Sequence, residues 1–467
     1  MNREPQTATS GWLGVDRKWW TLAVIGSGTF MSALDTSIVN LALPVIRGAT
    51  RASVSTVEWV VLAYLITVSS ALLLFGRLAD IHGRRRIYMA GQLVFVFGSL
   101  ACGLSGHIGG LIAARIAQAL GAAMIFALSP AILVSTFPGS ERGRALGMQA
   151  TMTYLGMSLG PGVGGVLLGH WGWASIFFVN VPVGLVALAV AAKVLHPDRP
   201  EATRQVFDPA GAATLALALA SLLFVLSKGG ELGWGHPLIV GLAAVAAGAG
   251  AVFVVVERRV AQPALDLRLF QNRLFTASVL SAYLCYWVSA SVSFLMPFFL
   301  LSACGYSPPH AGLVMMSVPV AMMVVTGPSG WLSDKIGVRA PATIGMAGMV
   351  AGLVLLSGLP LSVAAGWTAA CLACVGLGAG LFTAPNNSAI MGEVPENRRG
   401  VAGAILSAAR TVGFASGVAL AGLVYTGCLA AAGDAGSAAA AAHAVHMGLR
   451  VTVAFALAGT VCSALRR

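Results

Sequence analysis

Long apolar runs recur from Trp20 to Leu465, each ended by a short polar or Gly/Pro-rich break. A bilayer core about 30 Å thick takes roughly 20 helical residues at about 1.5 Å each, and lipid offers backbone polar groups no partner but one another, so such runs predict membrane-crossing helices. The windows predict about fourteen spans at that length. Six cover 20–44, 58–75, 87–104, 108–137, 145–168 and 175–195, two cover 210–226 and 237–256, and six cover 274–304, 311–332, 340–359, 367–391, 401–428 and 445–465. A membrane β-barrel would alternate apolar and polar residues over segments of about ten, and that alternation is missing.

The breaks carry a second pattern. Gly76-Arg77-Leu78-Ala79-Asp80-Ile81-His82-Gly83-Arg84-Arg85-Arg86 returns as Gly330-Trp331-Leu332-Ser333-Asp334-Lys335-Ile336-Gly337-Val338-Arg339, 254 residues on, with Gly, Leu, Asp, Gly and Arg at the same offsets. At about 30 residues per span and loop, that offset holds eight spans. The chain therefore divides into a six-helix bundle over 1–195, linkers with an inserted helix pair over 196–273, and a second six-helix bundle over 274–467. The first linker, His196 to Asp208, holds Pro197 and Pro200 and stops any helix. The Ala/Gly-rich stretch around Ala438 to Ala442 reads as a floppy outer loop. The expected fold is an all-α polytopic membrane protein, with the inserted pair peripheral to any pathway.

Composition excludes the soluble classes. The chain is 57% hydrophobic and 9% charged, with mean hydropathy +0.85, against about 25% charged residues in soluble domains. The net charge of +12 suggests nucleic acid until its distribution is read. With both termini in the cytoplasm, all Lys and Arg fall on the cytoplasmic side except Arg47, Arg51 and Lys228 outside and Arg115, Arg410 and Arg450 within spans. That is the positive-inside bias of a protein of the cell's inner membrane, and no nucleic-acid partner is expected. The cysteines, mostly in apolar surroundings, read as small packing residues. Cys371 and Cys374 have no second pair or nearby His, so no metal is expected. The first apolar run is too long for a cleavable signal and should stay in the mature chain. No phosphate-binding Gly-Lys-Ser/Thr loop or nucleophile elbow occurs, so neither ATP, a cofactor nor enzyme chemistry is expected.

The charges inside spans are the informative residues. Asp35 is the acid deepest in a span, where a carboxylate costs at least about 2.5 to 3.5 kcal/mol unless paired, protonated or functional. Counted at about 1.5 Å per residue, it lies roughly 22 Å above the inner end of its span, and Arg115 lies roughly 10 Å below the outer end of its own. Those depths nearly coincide, so the two can touch, and proton binding at Asp35 would loosen the tie. Arg410 either lines a cavity or binds a backbone carbonyl. Glu58, at the mouth of the second span, either relays protons or is simply solvated, and Arg450 can snorkel. Pro161 bends its helix, and Gly156, Gly160, Gly164 and Gly165 let another helix approach. In the hinge, Gly76 and Gly83 permit tight turns, Asp80 can cap the following helix, and Arg84 to Arg86 hold the cytoplasmic face. Trp59, Tyr64, Tyr154, Asn180, Tyr283, Tyr286, Trp287, Asn386 and Asn387 are the residues that could shape an apolar pocket with a few polar groups.

These motifs resemble those of the major facilitator superfamily, in its fourteen-spanner drug:proton antiporter branch. Leu34 to Pro44 is similar to the branch's first-span motif, Gly76 to Arg86 to the superfamily hinge, and Gly156-x-x-x-Gly160-Pro161-x-x-Gly164-Gly165 to the fifth-span antiporter motif. Trp173 to Gly184 resembles the segment that follows it, and Ala408 to Gly413 a pattern near the chain's end. Arg115, Gln118 and Ala119 resemble its Arg-x-x-Gln-Gly, with Ala in place of Gly. The resemblance implies that Asp35 and Arg115 couple protons, and that Gly76, Asp80, Gly83, Arg84, Arg85, Gly160, Pro161, Gly164, Gly165 and Asp334 gate the halves. Asp80 with Arg84 or Arg85 would latch them in the outward-open state. Trp59, Tyr64, Gln118, Tyr154, Asn180, Tyr286, Trp287, Asn387 and Arg410 would meet substrate. It implies a monomer that exports a small apolar or amphipathic compound in exchange for protons. A proton-coupled importer and a non-transporting sensor remain as alternatives. Asp35 against Arg115 and Arg410 leaves the cavity neutral to positive, which favours neutral or anionic compounds.

Overall fold

The computed structural model describes residues 16–138, 141–195, 209–259, 267–394, 399–432 and 437–466. Among them the regular elements are helical: α1 (Arg17–Thr50), α2 (Val54–Val57), α3 (Trp59–His82), α4 (Arg84–Gly103), α5 (Ile108–Thr136), α6 (Arg142–Trp171), α7 (Ser175–Phe178), α8 (Asn180–Val194), α9 (Pro209–Leu232), α10 (Pro237–Arg259), α11 (Arg273–Pro297, continued as a π-turn to Ala303), α12 (Pro308–Met315), α13 (Ser317–Ile336), α14 (Arg339–Leu356), α15 (Ala365–Gly392), α16 (Arg399–Ala431) and α17 (Ala438–Ala464).

Twelve stretches among the described residues are long and apolar enough to cross a membrane. This is fewer than the windows predict. The Gly-rich α6, with Gln149, Thr151, Thr153 and Ser158 along it, is not among them. The apolar part of α9, Ala213–Leu226, spans only about 21 Å at 1.5 Å per residue.

The repeat in the sequence is also a repeat in packing. In the first part α1 lies on α6, α3 and α8 lie on opposite neighbours α5 and α4, and α4 lies on α5; in the last part α11 on α16, α13 on α15, α17 on α14 and α14 on α15 repeat those pairings. The two hinge copies share a backbone turn: Gly83 has φ 95° and Gly337 φ 82°, a region that glycine enters without steric cost. Asp80, however, does not cap α4. The third helix runs on through His82 and the cap position belongs to Gly83, while the Asp80 side chain lies outside the described residues, as do those of Tyr154 and Asp334.

One further expectation is corrected. Ala438 to Ala442 is no loop. It opens α17, capped by the Ser437 side chain on Ala440 N–H, and Ala440, Ala441 and Ala442 are buried. Alanine has the highest helix propensity, which outweighs low complexity once a neighbour covers the face. Lys228 lies inside α9, which runs past the apolar window over 210–226, and α9 does not stand apart from the other helices. It packs on α3 and on α16 as well as on α10. Lys228 Nζ donates to Ser55 Oγ (3.0 Å) and Thr56 Oγ1 (2.8 Å), and the Phe224 ring meets Trp59 at 5.6 Å.

Candidate functional site: a buried ion pair beside a seam

Asp35 sits midway along α1 with its side chain fully buried, and Arg115, one turn before Gln118 on α5, faces it. Arg115 Nη1 lies 2.5 Å from Asp35 Oδ2. Gln118 Nε2 and Asn180 Nδ2 each donate to Asp35 Oδ1 at 2.9 Å. Both amides also donate to Ser99 Oγ, at 3.0 and 2.9 Å, and Ser99 donates to Phe177 O. Arg115 also donates from Nη1 to Gln118 Oε1 (2.7 Å) and from Nε to Val60 O (3.0 Å), and its guanidinium lies 4.1 Å from the Tyr64 ring centroid. The cluster thus ties α1, α3, α4, α5, α7 and α8 together. Gly98 brings α4 close enough for this: a Cβ there would stand 2.5 Å from the Cα of Gln118.

Such a network answers the cost of burying charge. A carboxylate and a guanidinium out of water are tolerated only when paired and hydrogen-bonded, and both are. The depth count brought Asp35 and Arg115 level, and they meet. Tyr64, Gln118 and Asn180, expected to meet substrate, stand around the ion pair. Ser99 was not singled out at all; a lone hydroxyl in an apolar run gives little signal until its neighbours are known.

The motif on α6 has two glycine faces. Gly156, Gly160 and Gly164 lie against α1, with a Cβ at Gly160 only 2.5 Å from Ser37 Cβ and one at Gly156 colliding with Phe30 O. Gly162, Gly165 and Gly169 lie against Met316, Pro308 and Pro309, and Pro161 O abuts Gly312. The second face therefore belongs to the other half. This α6–α12 contact and an α3–α16 contact form the seam between the halves at the end where α1 finishes. At the second contact Glu58, fully buried, stands so close to Gly422 that any Cβ there would overlap its Oε2. Glu58 is neither a solvated mouth residue nor remote from the ion pair, since Val60 is two residues on.

The remaining expected residues are dispersed. Arg84 donates to Ala131 O (3.5 Å) and Arg85 to Ala192 O (2.6 Å), both within the first half. Gly76 has open space around it. Trp59 packs on α9, and Trp287 is buried and stacked on Phe455 at 4.0 Å. Tyr286 is partly exposed beside Phe414, Asn387 is half-buried, and Arg410 and Arg450 are exposed. Arg466, which reads as tail, is buried, donates to Ser281 Oγ and Asn386 Oδ1, and braces α11 against α15. Among the described residues no group of His, Cys, Asp and Glu could hold a metal ion.

The pattern of the Major Facilitator Superfamily matches residues 25–418. The chain belongs to that superfamily. Among curated relatives it is 35% identical over 406 residues to the riboflavin transporter RibZ of Clostridioides difficile, covering 86% of this chain and 87% of that one. It is 33% identical over 417 residues to the multidrug resistance protein Stp of Mycobacterium tuberculosis (88% and 76%) and 31% identical over 419 residues to the tetracenomycin C resistance and export protein of Streptomyces glaucescens (90% and 77%). In fold it is similar to the POT family transporter PepTSo, with TM-score 0.69 at 16% identity over 96% of this chain and 97% of that one. A bacterial homologue of the lysosomal transporter Spinster, crystallised facing inward and unoccupied, gives TM-score 0.68 at 16% identity with the same coverage. The chain is a multi-span membrane transporter.

Proposed function

We propose that the protein is a proton-coupled antiporter of the fourteen-span drug-exporter branch, which expels a small apolar or amphipathic compound across the cytoplasmic membrane by alternating access. On this reading 1–195 and 274–467 are the two bundles, 196–273 is the inserted pair with its linkers, both termini are cytoplasmic, and the monomer is the working unit. The observation that carries it is the buried Asp35–Arg115 pair, hydrogen-bonded through Val60 O to the first turn of α3, whose Glu58 meets α16 of the other half.

The mechanism follows from that connection. With Asp35 ionised, Arg115 is held between the carboxylate and Val60 O, and the start of α3 is fixed at the closed seam. Substrate enters from the cytoplasm in this ionised state, and with substrate bound the seam opens and releases it outside. A proton taken up from the exterior by Asp35 in the open state removes the charge that holds Arg115, frees the start of α3 to move back, and lets the seam close without substrate. Loss of that proton to the cytoplasm restores the ion pair, so proton and substrate cross in opposite directions. The glycine face of α6 lets the halves part and close again without side chains in the way. In the open state Asp80 or Asp334 with the hinge arginines would latch the inner side.

Everted vesicles from an efflux-deficient host test the direction. With the interior acidified, they should accumulate riboflavin or a member of an antibiotic and dye panel in the wild type and not in Asp35→Asn. Accumulation only in right-side-out vesicles would make the protein an importer.

A further inference from the structure

Resting on the transporter reading, we infer that the substrate cavity takes planar aromatic anions, held by Arg410 against the Tyr286 and Phe414 rings.

Depth comes first. Tyr283 and Tyr286 lie about 15 and 20 Å along α11 from Arg273, at 1.5 Å per residue. Gly413 packs on this stretch: a Cβ there would stand 2.6 Å from Tyr283 O and 3.1 Å from Tyr286 Cβ. The two helices run parallel, since Gly417, one turn on, meets Trp287 O and Ala290. Arg410, one turn before Gly413, therefore sits roughly 10 to 15 Å above the start of α11, inside the hydrocarbon layer.

Its exposure at that depth is the second observation. A guanidinium facing lipid there would cost about 2.5 to 3.5 kcal/mol near the helix centre. The helix face decides between lipid and cavity. Arg410, Phe414, Gly417 and Ala421 form one stripe at helical spacing. Toward the seam the stripe is enclosed by protein, with Gly417 against α11 and Ala421 only 3% exposed. Gly417 lies about 20° from Arg410 around α16 and meets Trp287 O, so this face turns toward α11 rather than outward to lipid.

Charge is the third. Asp35 and Arg115 cancel inside the first half, and Glu58 is buried at the seam. Arg410 is exposed, has no ion pair with a described residue, and makes this face of α16 positive. One turn away, the Phe414 and Tyr286 rings lie 5.9 Å apart at 34°. A guanidinium that binds a carboxylate through two parallel hydrogen bonds, beside aromatic faces, fits a flat acid better than a lipophilic cation.

The test is equilibrium binding to purified protein, without a membrane gradient, so it reads the site independently of export. Three probes share one ring system and differ in charge: naphthoate, its methyl ester and a naphthyl-trimethylammonium. Wild type should bind naphthoate most tightly. Arg410→Ala should weaken naphthoate about tenfold, as loss of a charge-assisted hydrogen bond does, and leave the ester within about twofold. Phe414→Ala should weaken all three. Should the Ala variant fail to fold, Arg410→Gln gives the same readout with the stem retained. Tighter binding of the cation by wild type, or unchanged naphthoate binding after loss of Arg410, would overturn the inference. Naphthoate binding without proton-driven flux would leave it standing and remove the export reading.

Discussion

Asp35 receives Arg115, Gln118 and Asn180 at once, so changing any one partner leaves the others facing an altered charge. Arg115→Ala should cost about 3 to 5 kcal/mol, the usual penalty for leaving one member of a buried pair unmatched, read as a lower thermal midpoint. Asp35→Asn keeps the shape but turns an amide N–H₂ or an uncharged oxygen toward Arg115. It should fold with a smaller loss and abolish dependence on the proton gradient. How far this site could be read in advance varies residue by residue. Asp35 and Arg115 were legible because depth along a helix follows from counting. That Tyr64 and Asn180 stand at the ion pair was not legible, because counting does not fix which way a side chain points when every face of the helix is apolar. Arg466 was missed for a related reason: a terminal arginine looks like tail until the helix before it turns it inward.

Helices tell a similar story one level up. The apolar windows locate most of the described helices, since lipid and protein interior both demand hydrophobic residues. They say nothing of which helices touch. The inserted pair shows this: an Ala/Leu-rich α9 predicts only a span, yet it lies across α3 and α16 and carries Lys228 to the Ser55 and Thr56 hydroxyls. Lys228→Ala should loosen the seam, increasing labelling of the half-buried Cys428, near the C-terminal end of α16, by a water-soluble maleimide. The glycine faces of α6 give a sharper contrast. At Gly312, opposite Pro161 O, an added methyl group has no room, so Gly312→Ala should hold the seam ajar and raise the same labelling. Gly327→Ala, where a Cβ meets nothing, should leave it at the wild-type level.

Across the whole molecule, the repeated hinge motif was the most informative signal in the chain, because the offset between its copies constrains everything between them. Matching packing and the shared positive φ at Gly83 and Gly337 make the two ends of the chain variations on one unit. The closed seam joins those units at one end, next to the ion pair. Whether proton binding at Asp35 closes it can be measured without knowing the substrate. Spin labels at exposed Arg51 and Ala431, in a background with the native cysteines replaced, would report the distance across the seam. Acidification should shift that distance toward the short, closed-seam value in the otherwise wild-type protein, and Asp35→Asn should remove the response. An equal response in Asp35→Asn, or no change with pH in either protein, would contradict the account.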